Sequence, residues 1–119
     1  MKIGVSFYYV GDIHKATRIY SSFLGTSPSS LDEDWVRFHL DGGDLALHLD
    51  TAIKETSSVE PVRFGAVVSI TVDDITTSLN RACEAGFTQV GEVQHQAYGD
   101  QAQIRDPWGN RLSILARKP

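Results

Sequence analysis

Two runs of β-branched and aromatic residues, Val5-Ser6-Phe7-Tyr8-Tyr9-Val10 and Val67-Val68-Ser69-Ile70-Thr71-Val72, stand out against the polar background of this chain. Both favour extended backbone. Each runs into an aspartate at the same point: Asp12 in the first half and Asp74 in the second, 62 positions apart. A carboxylate there can accept from the free N–H groups of a first helical turn. The apolar period then changes from two to three or four. In the first half it falls on Ile13, Ala16 or Thr17, Tyr20, and Phe23 with Leu24; in the second, on Ile75, Leu79, Ala82 and Cys83. Gly25 and Gly86 stand where a helix ends in a left-handed residue. Each half therefore opens with a strand and a one-faced helix.

The rest of each half alternates like β-structure. Trp35 to Leu40 and Leu45 to Leu49 flank Asp41-Gly42-Gly43-Asp44, a hairpin turn. Gln101 to Arg105 and Arg111 to Leu115 flank Asp106-Pro107-Trp108-Gly109-Asn110, and Phe87 to Val93 forms a further strand. Thr26 to Ser30 is turn-rich, and the strand beside it is weakly marked. Thr51 to Pro61 is a polar connection within one domain. The expected architecture is α+β: two βαβββ modules, residues 1–57 and 62–119, related by a pseudo-two-fold axis within one domain covering residues 1–119. Each helix covers one face of its sheet, and the opposite faces curl around a cleft.

Composition narrows the function. With 119 residues, 41% hydrophobic and 22% charged, the chain has globular proportions and room for one ordinary core. No apolar run nears the roughly 20 residues of a membrane span, and no secretory signal pattern opens the chain. A cytoplasmic location is expected, with no membrane partner. Eleven Lys and Arg against fifteen Asp and Glu leave a net charge of -4 and no basic stripe, which argues against nucleic acid. Cys83 is the one cysteine. Its place in the helical pattern predicts a buried structural thiol.

Val10-Gly11-Asp12-Ile13, the helix end Phe23-Leu24-Gly25, the restart Val72-Asp73-Asp74-Ile75 and the late turn Arg105-Asp106-Pro107-Trp108-Gly109-Asn110 together resemble the vicinal oxygen chelate superfamily. That superfamily includes glyoxalase I, bleomycin- and fosfomycin-resistance proteins and extradiol dioxygenases. The resemblance runs from Ile3 to Ala116 and implies the glyoxalase/bleomycin-resistance/dioxygenase fold. In the family's enzymes, His or Glu side chains on inward strand positions hold a divalent metal that stabilises developing negative charge as a Lewis acid. Aligned on these motifs, the four ligand positions hold Val5, Ala46, Val67 and Ser113. Alkyl groups cannot donate to a metal, and a neutral hydroxyl is a poor ligand.

If Val5 faces the cleft, alternation turns Phe7, Tyr9, Trp35, Arg37, His39, Ala46 and His48 inward from the first half. From the second half come Val67, Ser69, Thr71, Gln103, Arg111, Ser113 and Leu115. Among these, Phe7, Tyr9, Trp35, Arg37, His39, His48, Ser69, Gln103, Arg111 and Ser113 are the candidate ligand-binding residues. They combine stacking rings with hydrogen-bonding groups, which suits a planar or partly apolar small molecule. The expectation is a protein without a cofactor that binds or sequesters a small organic molecule, with no catalytic residue assigned. The enzyme-class alternative is a metal-dependent lyase, isomerase, transferase or dioxygenase holding one divalent metal near His39 and His48. Trp108 is expected to shield a strand end or to fold over the cleft as a lid. A homodimer is also expected, because the resemblance implies paired chains and curled sheets leave strand edges to cover.

Overall fold

The computed structural model describes residues 1–60 and 65–119. The expected start of the second module, Val62, and the end of the connection at Pro61 lie outside the described residues. The chain divides into two compact units, Met1–Glu55 and Thr56–Pro119. The architecture is α+β, with a four-stranded mixed sheet and one helix in each unit.

In the first unit, β1 (Ser6–Val10) leads into α1 (Ile13–Leu24), followed by β2 (Ser30–Leu31), β3 (Trp35–Leu40) and β4 (Gly43–Leu49). The sheet order is β1-β4-β3-β2, and β1 runs parallel to β4. Asp12 caps α1 by accepting from the Lys15 N–H at 3.0 Å, and Gly25 ends it at φ 69°. Ile13, Ala16, Ile19, Tyr20 and Phe23 form the buried helix face. Of the two residues expected to share one turn of that face, Ala16 is buried; Thr17 returns its hydroxyl to the Ile13 carbonyl at 2.6 Å. Val36, Phe38, Leu45 and Leu47 complete the core from the sheet.

The second unit repeats the order with β5 (Val68–Thr71), α2 (Ile75–Ala85), β6 (Thr88–Gln96), β7 (Gly99–Arg105) and β8 (Arg111–Arg117). Its sheet runs β5-β8-β7-β6, with β5 parallel to β8. Asp74 caps α2 through the Thr77 N–H at 2.8 Å. The repeat extends to strand register: Phe7 lies opposite Ala46 in the first sheet, and Ser69 lies opposite Ser113 in the second. The cap-to-cap repeat and the hairpin alignment thus describe the same pairing.

Cys83 departs from expectation, for it is exposed. Ile75, Leu79 and Ala82 fill the buried stripe of α2, and the residue after Ala82 is turned about 100° away from it. β6 is also longer than its apolar run. A register break between Val90 and Gln94, with Gly91 at φ 74°, lets the polar residues Gln94 to Gln96 resume pairing with β7. Such a bulge breaks the period-two signal on which a strand is recognised.

The turn between β7 and β8 closes on Asp106, which has no solvent exposure. Its carboxylate accepts from the Trp108 N–H at 3.0 Å, the Asn110 N–H at 2.9 Å and the Asn110 side-chain amide at 2.8 Å. Trp108 is buried at 8% exposure, so it packs within the protein and is no lid. The segment after Glu55 is tied to this unit. The Thr56 N–H donates to the Pro107 carbonyl at 2.8 Å, Arg105 donates to the Thr56 carbonyl at 2.9 Å, and Arg111 donates to the Glu60 carbonyl.

Candidate functional site

The first sheet turns one face to α1 and gathers rings on the other. Side chains alternate along each strand, and register aligns them across strands. One row contains Tyr9, His48 and Trp35; the next contains Phe7, Ala46 and Arg37. The His48 imidazole stacks on Tyr9, with centroids 5.2 Å apart and planes 28° from parallel. Trp35 meets His48 edge-on at 5.7 Å, and Phe7 lies 5.4 Å from Trp35 and 5.5 Å from Tyr9. Ala46 contributes only a methyl group between Phe7 and Arg37. Despite these mutual contacts, Phe7 and Tyr9 remain 43% and 46% exposed. Rings held by their neighbours yet open to solvent form a stacking surface whose ordering cost is already met.

Beside the rings lies an ionic corner. Arg37 Nε donates to Asp44 Oδ2 at 2.6 Å, and His39 Nδ1 lies 2.6 Å from Asp44 Oδ1. Asp44 was expected in the turn. Because β4 begins at Gly43, it instead occupies a strand position directly opposite His39. The hydrogen bonds from Arg37 and then from His39 hold its carboxyl below the ordinary aspartate value of 3.8. A carboxylate with a depressed folded pKa contributes stability that is present above the unfolded value and is lost as pH falls through the folded one. In a carboxyl-carbon NMR titration, Asp44 is expected to protonate below 3.8, and Arg37→Leu should move its midpoint upward. A midpoint equal to that of a free aspartate would show that the corner does not persist in solution.

In the second unit, Ser69, Ser113 and Gln103 occupy one row, and Thr71, Leu115 and Gln101 the next. Gln101 is the residue the sequence reading passed over, although it shares the alternation of Gln103. It donates to the Ser113 hydroxyl at 3.0 Å and accepts from the Tyr98 hydroxyl at 3.0 Å. A groove of about 720 Å³ opens here between the segment Val59-Glu60, the β6 bulge and the glutamines of β7. Arg111 stands differently from the expected ligand-facing cation. It is 7% exposed, and one of its donors is committed to the Glu60 carbonyl. Burial, and then the neighbouring Arg105 charge, lower its pKa.

A metal at the family's usual positions does not fit these residues. Val5, Ala46 and Val67 carry only alkyl side chains, and the Ser113 hydroxyl already accepts from Gln101. His39 is joined to Asp44, while His48 is stacked among Tyr9, Trp35 and Phe7. Among the described residues, no group of three or more His, Cys, Asp and Glu side chains is placed to hold a metal ion.

Several solved structures share this fold. A glyoxalase-related enzyme from Fulvimarina pelagi aligns with a TM-score of 0.76 at 17% identity, covering 97% of this chain and 87% of that one. A glyoxalase/bleomycin resistance protein/dioxygenase family enzyme from Burkholderia phytofirmans PsJN aligns with a TM-score of 0.76 at 18% identity, covering 97% and 98%. A glyoxalase/bleomycin resistance protein from Catenulispora acidiphila reaches 0.68 at 20% identity, covering 96% and 97%. No curated protein sequence matches. The sequence profile of one superfamily matches residues 2–114, nearly the whole chain. With the duplicated strand-helix-hairpin order and shared register, this match identifies the chain as a member of the glyoxalase/bleomycin resistance protein/dioxygenase superfamily.

Proposed function

We propose that this protein binds a small, planar organic molecule and holds it without a metal cofactor and without transforming it. The observation that carries this reading is the ring surface of Phe7, Tyr9, Trp35 and His48, on which Phe7 and Tyr9 stand exposed and Trp35 and His48 half-buried. Donor chemistry at Val5, Ala46, Val67 and Ser113 supports it. Holding a ligand requires affinity and an ordered surface, but no preferential stabilisation of a transition state. Arg37 and His39 lie on the same sheet face, and the nitrogens that Asp44 does not engage, the terminal guanidinium of Arg37 and Nε2 of His39, offer hydrogen bonds to acceptor groups on the rim of such a ligand. Binding by sequestration and a cytoplasmic homodimer complete the proposal. The edge strand β6, which pairs with β7 alone within its sheet, offers backbone for contact between copies. A monomer in sedimentation equilibrium would remove the dimer.

The test is a screen of planar heteroaromatic compounds by protein-observed NMR. Hits should shift the Phe7, Tyr9, Trp35 and His48 resonances, and Trp35→Ala should weaken binding about tenfold, roughly 1.4 kcal/mol, while preserving the fold. Unchanged affinity in that variant would overturn the ring-stacking role. Stoichiometric iron, zinc, nickel or manganese in protein purified without chelator would replace this reading with the metal-dependent enzyme alternative.

A further inference from the structure

The first unit has a concavity on the helix side of its sheet, away from the ring face. Its floor is formed by Ile13 and Thr17 of α1 and Val36 of β3; Leu31 flanks it, and Asp32 and Glu33 stand at the rim with His14. The volume is about 360 Å³, at the lower end of the roughly 300–1,000 Å³ typical of small-molecule sites. Ile13 and Val36 are 5% and 0% exposed, so the floor belongs to the rigid core. Leu31, by contrast, is 67% exposed. It lies on a two-residue edge strand.

Asp32 and Glu33 give the rim two carboxylates beside the His14 imidazole. The Asp32 backbone N–H donates to the Trp35 carbonyl at 2.9 Å, which fixes the turn that displays both carboxylates. Among the described residues, neither the Asp32 nor the Glu33 side chain has an ion-pair or hydrogen-bond partner. The apolar floor excludes a hydrated ion, while the rim disfavours a fatty acid or other organic anion. The geometry points to a site for a small organic cation with an apolar body, such as an alkylammonium group. Its chain would lie over Ile13, Val36 and Leu31, and its ammonium would meet Asp32 and Glu33. Desolvation of the chain supplies affinity, and charge selects the head group. This site is independent of the ring surface, and neither proposal needs the other.

The experiment is a titration of the full chain with n-hexylammonium, followed by 1H–15N NMR, with hexanoate and hexanol as size-matched controls. Hexylammonium at millimolar concentration should shift the Thr17, Leu31 and Val36 amides. Asp32→Asn with Glu33→Gln should weaken that binding about fivefold. Leu31→Ser should weaken hexylammonium and hexanol alike. These positions are exposed, and retained dispersion elsewhere in the spectrum verifies folding of each variant. Equal binding of hexanoate would overturn the cationic specificity. An absence of shifts, or shifts confined to the ring face, would overturn the site. Concentration-dependent shifts at the same amides without any probe would assign the concavity to a second copy of the chain and likewise overturn the proposal.

Discussion

Replacing Asp106 with alanine is expected to destabilise the protein by about 3–5 kcal/mol and to lower its melting temperature by roughly 10 °C or more. The carboxylate is fully buried and satisfies two backbone N–H groups and the Asn110 amide within one turn. Alanine leaves these donors without an acceptor, and each unmet buried donor carries a desolvation cost of about 1–3 kcal/mol. Asn keeps one acceptor oxygen but turns an amide N–H toward another donor, so Asp106→Asn should lose about half as much. The turn also positions Pro107, whose carbonyl receives the Thr56 N–H. Its loss should therefore release the segment that walls the groove of the second unit. Urea unfolding measures the first effect, and amide hydrogen exchange at Thr56 measures the second. A loss below about 1 kcal/mol would show that the turn is held by other contacts.

Gly99→Ala is the second large effect. Gly99 begins β7 opposite Arg117 with φ +148°, and a Cβ there would lie 2.2 Å from the Ala116 carbonyl oxygen and 2.8 Å from the Arg117 Cα. Both atoms are backbone, so relief requires the β7/β8 ladder to part. Steric displacement and the unfavourable φ together should cost about 2–4 kcal/mol. Because Tyr98 and Gln101 flank this point, the hydrogen bond between them should also be lost. Gly4 provides the control, since a Cβ there meets nothing within 4 Å. Gly4→Ala should leave the urea midpoint nearly unchanged. Equal midpoints for the two variants would contradict the tight strand approach at Gly99.

Much of the fold is legible because its signals are local. Asp12 and Gly25 bracket α1, Asp74 and Gly86 bracket α2, and each pair lies within a few turns of the apolar stripe it delimits. The ring surface is legible for the same reason. Alternation alone aligns Phe7 with Tyr9 and Trp35 with Arg37, and the resemblance, which places Val5 at an inward position, supplies the face they share. Cys83 follows Leu79 by four residues, a spacing that fits the stripe, yet its turn of about 100° beyond Ala82 carries it out to solvent. In β6 a bulge interrupts the alternation before the polar end of the strand, so the apolar run stops short of the strand itself. Asp44 reads as part of the turn because an Asp-Gly-Gly-Asp sequence does not reveal which of its residues resume the ladder.

By itself, the amino-acid order determined that this chain folds as two βαβββ units, and it determined which side chains leave each sheet on the face away from the helix. Tertiary structure decided which of those polar side chains are spent on one another: Arg37 and His39 on Asp44, Gln101 on Ser113, and Arg111 on a carbonyl 51 residues away in sequence. The physical reason is range. Facing is set by a two-residue period along one strand, whereas pairing depends on the closure of turns and the register of distant strands, where a shift of one residue exchanges every partner.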